Sequence, residues 1–485
     1  MTEASAHSND PVIAEGVDED PIEGNRRLFE GWRFTLMAAL AAAYAAFHMA
    51  ALNGLSISEW TGITVPFLPT FPLETWNFRI VHVAGALFMG FLLFSAHLKF
   101  ADEERSETPL WTYVGYALLV PALIACFSAL NFSSRISAGE MWNGIAPEFR
   151  TPEIFWFGVP LLVATFGSIL LGWLHRSPRG RYSIPDLVLG VCAVAVATYL
   201  ITIFGTLMRN STGTPFAPIG ISLAAVAGTA LIMELTRRVA GLALVIIAGV
   251  FLVYVFIGHL MPGFLNSPRI DWARFFSQVY TDAGILGPTT AVSSTYIILF
   301  IIFAAFLQAS KVGDYFVNFA FAAAGRSRGG PAKVAIFASG LMGMINGTSA
   351  GNVVATGSLT IPLMKKVGYH RKTAGAVEAA ASTGGQIMPP IMGAGAFIMA
   401  EITGIPYTDI AIAAIIPAIL YFVSVYFMVD FEAATLGMTG MRQDELPKLS
   451  RMVRQVYLFI PIIILIYALF AGYSVIRAGT LATIA

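Results

Sequence analysis

Two polar stretches, GLMGMINGTSAGNVVATG (340–357) and ASTGGQIMPP (381–390), interrupt apolar runs in an otherwise hydrophobic chain. A helix crossing lipid has no reason to carry Asn346, Gly347, Thr348, Ser349, Gly351 and Asn352 together, because unpaired backbone and amide groups in hydrocarbon cost several kcal/mol each. Such sequence survives where the backbone opens around a cavity or an ion. Two broken segments about 40 residues apart point to a site near the bilayer midplane.

Composition sets the same frame. Hydrophobic residues fill 56% of the 485 positions and charged residues 12%, against about 25% charged in an ordinary soluble domain. Runs long enough for the hydrocarbon core occur near 34–52, 78–98, 111–131, 154–174, 184–207, 216–235, 239–261, 289–309, 374–400, 408–429 and 456–475. The fold class expected is therefore an all-α polytopic membrane protein with about eleven crossings. The first six read as ordinary helices without an interior break.

Formal net charge is zero, so nothing supports nucleic-acid binding, but the basic residues are distributed one-sidedly. With the N-terminus cytoplasmic, 22 of the 29 Lys and Arg residues fall in cytoplasmic segments. The other seven are Arg79, Arg135, Arg150, Arg209, Arg269, Arg274 and Arg477. Residues 1–25 are acidic and polar and read as a disordered cytoplasmic tail. Cys126 and Cys192 lie inside apolar runs and read as packing residues.

The run 332–347 would reach only about 24 Å as a helix at 1.5 Å per residue, and 353–364 is shorter still. Both flanks are basic, Arg326/Arg328/Lys333 and Lys365/Lys366/Arg371/Lys372. The simplest geometry is a re-entrant hairpin over 332–364, its tip NGTSAGN at mid-membrane depth; one kinked helix or two tilted short spans is the alternative. In 374–400 the helix must open at GGQIMPP, since Pro389 and Pro390 lack amide hydrogens and Gly384 and Gly385 have little helical preference. The carbonyls of Gly384 to Pro389 then turn inward, and hairpin tip and opened helix meet. The segment 269–287 mixes aromatics with charges and reads as an interfacial or bundle-packing helix.

From Val239 onward the chain makes five crossings plus the hairpin, so a second copy of that unit would run upside down, as in inverted-repeat transporters. No second hairpin or broken helix follows before Ala485. The expected organisation is a tail (1–25), N-terminal scaffold helices (26–235, with 111–174 as inserted helices) and a first inverted half (236–485).

Through ELTRRVAGLALVIIAGVFLVYVFIGHLMPG (234–263), the block 325–407 and the helix ending VDFEAATLGM, the chain resembles the fused membrane subunit of tripartite ATP-independent periplasmic (TRAP) transporters, in the subgroup that works with TAXI-type binding proteins. Residues 1–183 resemble the small-subunit portion weakly. The tip NGTSAGN departs from the family's more usual Gly-Ser-Ser-Val-Ala-Asn type run, and the second half that carries the other hairpin is absent. What the resemblance implies is a sodium-coupled elevator importer of organic anions, typically carboxylates, in the bacterial inner membrane. Its partners would be a periplasmic TAXI-type solute-binding protein, sodium and a second chain completing the repeat. The alternative is a truncated, transport-inactive scaffold.

Carbonyls from an opened helix and a hairpin tip can surround sodium without fixed charge, and nearby helix N-termini favour a carboxylate. The candidate sodium ligands are backbone and side chains of Asn346, Gly347, Ser349, Asn352, Gly384, Ile387 and Pro389. Candidate substrate contacts are Thr348, Ser349, Asn352, Ser382, Thr383 and Gln386. Glu378 is a candidate for gating or coupling; placed one turn into its helix, it is also explained by helix-dipole capping. Glu234 with Arg237 and Arg238 reads as a structural ion pair, and His48 and His82 as satisfied packing residues. No His-Glu-x-x-His run, serine elbow or P-loop is present, and GRSRGGPAK lacks a Gly-Lys-Ser/Thr ending, so the reading is not an enzyme and requires no cofactor beyond the coupling ion.

Overall fold

A computed structural model describes residues 24–55, 75–98, 100, 109–442, 446, 447 and 449–485, without the side chains of 109 and 449–451. The tail expected over 1–25 thus lies, up to residue 23, outside the described residues. The regular elements among those described are all helices, with no strand; Arg26 and Phe94 form an isolated bridge. Among them, nine helices are long and apolar enough to cross a membrane, which makes this a multi-pass membrane protein.

The long helices are α1 (Gly31–Asn53), α2 (Thr75–Leu93), α3 (Pro109–Ser137), α4 (Pro147–Leu174), α5 (Ile184–Phe204), α6 (Ile219–Ala240) and α7 (Leu242–Ile257). After the short α8 (Trp272–Val279) come α9 (Pro288–Ala309) and α10 (Val312–Ala324). Then follow α11 (Gly330–Asn346), α12 (Ser349–Lys366), α13 (Arg371–Gly384), α14 (Ala394–Thr403), α15 (Tyr407–Thr435), α16 (Ile460–Phe470) and α17 (Val475–Ile484). Nine of the eleven expected spans correspond to the nine long helices; the other two are interrupted. The span expected over 374–400 divides into α13 and α14, and that over 456–475 ends at Phe470, where Gly472 adopts φ 85° and Ser474 caps α17 through the Arg477 amide.

The expectation of unbroken early helices fails at α4, whose turn Glu153–Gly158 is π-helical. That turn begins at the fully buried Glu153, whose Oε1 accepts from Trp142 Nε1 (2.8 Å) and the Tyr199 hydroxyl (2.6 Å) and whose Oε2 accepts from the Gly220 amide (3.1 Å). A carboxylate at that depth needs donors on both oxygens, and it has three.

The chain forms two compact units, Met1–Ala38 with Val83–Val279 and Ala39–His82 with Tyr280–Ala485. In the first, α3 to α6 pack around Tyr199, Phe157 and Phe132, and α8 lies against α6 with Phe276 buried. Its charged cluster is closed: Asp186 pairs with Arg27 and with Arg238 (2.7 Å), and Glu234 with Arg238 (2.7 Å) and Arg237 (2.8 Å). Helix α7 buries no residue within its unit and presents Leu, Ile, Val and Phe outward, the inverse of a soluble surface and the expected face toward acyl chains.

The second unit has a core of Phe300, Phe303, Phe316, Ile345, Phe397 and Leu465. A second cluster, with Ala332, Ile336, Met364, Ala374, Val377 and Val429, joins α11, α12, α13 and α15.

Candidate functional site

Helices α11 and α12 pack side by side and are joined by two residues. Gly347 ends α11 in the left-handed region (φ 58°), donating its amide to Gly343 O (3.3 Å), and Thr348 is extended before α12 starts. Gly347 has two reasons to be glycine: the positive φ, and a Cβ there would sit 2.1 Å from Met392 O. The tip of the hairpin therefore rests on the opened segment.

That segment begins where α13 stops. Gly385–Ile387 tightens into a 3₁₀ turn, Met388–Gly393 is non-helical with a cis Pro389–Pro390 bond, and α14 restarts at Ala394. Two neighbours hold the opening: Gly393 N donates to Gln386 O (2.7 Å), and the Tyr407 hydroxyl reaches Pro390 O (2.8 Å) and Ile391 O (2.5 Å). Tyr407 itself stacks on Phe397, 4.3 Å between ring centroids. Two carbonyls of the opened segment are engaged within it. Gly385 O accepts from Met388 N and Gln386 O from Gly393 N, so among the described residues Ile387, Met388 and Pro389 keep carbonyls without a hydrogen bond.

Hairpin and opened helix approach through glycine. A Cβ on Gly343 would lie 2.3 Å from Gly385 Cα, and one on Gly385 would lie 2.9 Å from Asn352 Nδ2. Asn352 is fully buried; Nδ2 donates to Ser339 O (2.8 Å), and Oδ1 is buried without a partner. At the rim, Gln386 Nε2 donates to Ser349 Oγ (3.1 Å). An orphaned amide oxygen at the centre of a membrane protein costs about 1–3 kcal/mol unless something supplies positive charge or a donor.

The candidate residues thus divide. Gly347, Ser349, Asn352 and Gln386 converge where tip and opening meet, and the opened segment itself contains the carbonyls of Ile387 and Pro389, for which no hydrogen bond is found among the described residues. Gly384, at the end of α13, instead faces Tyr421 and Phe422. Asn346 is turned toward Gln308 of α9, 3.5 Å away, and Thr348 is exposed at the tip. Thr383 is exposed and, among the described residues, its hydroxyl donates to Ala379 O of its own helix (2.7 Å). Ser382 is fully buried and belongs to a different cluster.

Glu378 organises that cluster. Because α13 begins at Arg371, capped by His370, Glu378 lies two turns into the helix rather than one, beyond the reach of a first-turn dipole effect. It is fully buried: Oε1 accepts from Thr356, Ser382 (3.1 Å) and Ser339 (3.3 Å), and Oε2 from Thr360 (2.5 Å). Thr356 and Thr360 are also 2.9 Å from the carbonyls of Asn352 and Thr356. Gly357 opens the space; a Cβ there would meet Glu378 Cγ at 3.0 Å. One carboxylate so binds both hairpin arms to α13. The reading of the sequence missed Ser339, Thr356 and Thr360, although Asn352, Thr356 and Thr360 recur every fourth residue and so share a helix face.

Residues 227–485 match the family described as Tripartite ATP-independent periplasmic transporter, DctM component. Among curated proteins, the uncharacterized protein y4mL of Sinorhizobium fredii (strain NBRC 101917 / NGR234) is 24% identical over 197 residues, 41% of this chain and 42% of that one. The C4-dicarboxylate TRAP transporter large permease protein DctM of Vibrio cholerae serotype O1 is 35% identical over 91 residues, 19% of this chain and 20% of that one. The chain therefore spans less than half the length of either relative.

Proposed function

Because the chain belongs to the DctM component family of tripartite ATP-independent periplasmic transporters, we propose that it is the permease component of a binding-protein-dependent, sodium-coupled importer of organic anions. The observation that carries this reading is the junction of hairpin tip and opened helix. There the buried Asn352 Oδ1 lacks a partner, and the opened segment contains the carbonyls of Ile387, Met388 and Pro389, which carry no hydrogen bond among the described residues. Neutral oxygen donors, with the Glu378 carboxylate reached only through Ser339 and Thr356, suit a monovalent cation, which dehydrates more readily than a divalent one. Gly347, Ser349 and Asn352 supply the hairpin side of such a site.

The N-terminus of α12 opens at the same place, with the amides of its first turn and the hydroxyls of Thr348 and Ser349, a setting that favours an anionic carboxylate. The name of the Vibrio relative makes a C4-dicarboxylate the first substrate to try. Glu378, by fastening α11 and α12 to α13, makes these helices one body able to carry the site in an elevator movement. A TAXI-type periplasmic binding protein delivers the substrate, and a second chain completing the repeat is a further partner in this reading.

Proteoliposomes holding the complete transporter and its binding protein test it with a dicarboxylate panel and an imposed sodium gradient. Uptake should require sodium and be abolished by Asn352→Ala with Gln386→Ala. Uptake unchanged in that double variant refutes the site; uptake indifferent to sodium refutes the coupling ion.

A further inference from the structure

His48 on α1 and His82 on α2 lie within the second unit; His48 is fully buried and His82 is 7% exposed. They face each other directly, His48 Nε2 being 2.9 Å from His82 Nδ1. His48 Nδ1 lies 2.8 Å from Tyr44 O. A carbonyl can only accept, so this nitrogen carries its hydrogen in every state and Nε2 of the neutral ring is bare. The hydrogen between the rings then belongs to His82 Nδ1. That leaves His82 Nε2 as an acceptor, and it lies 3.0 Å from the Ser293 hydroxyl. The Tyr44 hydroxyl donates to His82 O (2.8 Å) and stands 3.0 Å from His82 Nδ1 as a second acceptor for the same hydrogen.

With both rings neutral, every one of these groups is satisfied, as packing residues require. The same arrangement has room for one proton more. Added at His82 Nε2, it makes that nitrogen a donor to Ser293 Oγ, whose own hydrogen turns to a helix carbonyl one turn back. A second proton would have to enter at His48 Nε2, against the hydrogen already on His82 Nδ1. Two positive rings with centroids 5.1 Å apart would disfavour it by more than about a hundredfold at an effective dielectric of 20.

We propose that His48 and His82 form a binding site for a single proton, taken at His82 Nε2 and read by the Ser293 hydroxyl. Ser293 opens the π-helical turn Ser293–Ile297 of α9, and Tyr296 of that turn stacks on Phe397 of α14, 5.4 Å between centroids. The proton site is therefore connected by packing to the helix that restarts after the opened segment. The helices around the pair contribute few charges. Arg79 on α2 lies one turn before His82, with Nη1 on Leu286 O (2.6 Å). Helix α17 packs on the π turn, carries Arg477 and accepts from Asn53 Nδ2 at Thr480 (3.1 Å). None of α1, α2, α9 and α17 contains an acidic residue, so on these helices the pair itself is the base; α14, which also packs on the π turn, carries Glu401, whose charge acts on Tyr296.

Ring-¹⁵N-histidine spectra of the full chain in lipid nanodiscs, titrated between about pH 4 and pH 9, test the proposal, with signals assigned by their loss in His48→Gln and His82→Gln. The pair should gain one proton in one step, with His48 staying neutral; in His82→Gln, where the glutamine carbonyl can accept, His48 should become protonated. Ser293→Ala, which leaves both rings in place, should shift the midpoint about one pH unit downward, a tenfold weaker proton affinity. Two protons on the pair, no proton at all, or an unmoved midpoint in Ser293→Ala overturns it. Should the histidine variants fail to fold, a ring-to-ring nitrogen correlation across the His48–His82 hydrogen bond picks the pair out of the seven histidines of the unaltered chain, and its proton count decides.

Discussion

Glycine and buried oxygen atoms carry most of the specificity around the hairpin, and they respond to substitution in opposite ways. At Gly343 a methyl group would collide with Gly385 Cα, and neither backbone can yield without separating hairpin from opened helix. Gly375, in α13, has open space where a side chain would stand, with nothing within 4 Å of an added Cβ. Gly375→Ala should accordingly raise stability by about 0.5–1 kcal/mol through helix propensity, whereas Gly343→Ala should lower the thermal midpoint by several degrees in the same assay. Equal behaviour of the two would show that close approach at Gly343 is unimportant. Glu378→Gln keeps shape but replaces an acceptor with an amide that faces hydroxyl donors. A loss of about 2–3 kcal/mol is expected, with Thr360→Val costing less because one acceptor bond of several is removed.

At the level of helices, charge placement separates what holds an element from what merely decorates it. Asp186 at the first turn of α5 is shared by Arg27 and Arg238, both with side chains almost wholly buried. Asp186→Ala leaves Arg27 without a carboxylate partner inside the bundle and Arg238 with Glu234 alone, and should destabilise by about 3–5 kcal/mol, read as loss of monodisperse protein or a collapsed thermal midpoint. The Arg135–Glu140 pair (2.6 Å) is solvent-facing, and Glu140→Gln should leave the midpoint within measurement error. The opened segment has its own support in Tyr407, whose single hydroxyl hydrogen is shared between the carbonyls of Pro390 and Ile391. Tyr407→Phe keeps the stack on Phe397 and removes that shared bond, so cleavage or hydrogen exchange should increase over 388–393 without a general loss of helix protection.

Across the whole molecule, the proposed transport reading requires the hairpin tip to be wet. A cysteine at Ser349 should react with small polar thiol reagents and be protected by sodium or substrate; labelling as slow as for a cysteine placed on the outward face of α7 would count against it. Apolar length settled the architecture from the chain alone, because crossing lipid demands about 20 consecutive apolar residues and no soluble fold does. The nine long helices fall where those runs were read, and Pro389 and Pro390 marked the opening because a missing amide hydrogen is a local property. The Glu234 pairing with Arg237 and Arg238 was legible for the same reason, being set by helical spacing. Neighbours distant in sequence were not legible. The buried Glu153 finds its donors on Trp142, Tyr199 and Gly220, and the role of Glu378 depends on hydroxyls from two other helices. The same holds for the histidine pair, which 34 residues of chain separate and one hydrogen bond joins. Periodicity and composition report which face of a helix is buried; only tertiary packing decides which polar atom it is buried against, and that choice fixes where charge, cation or proton can reside.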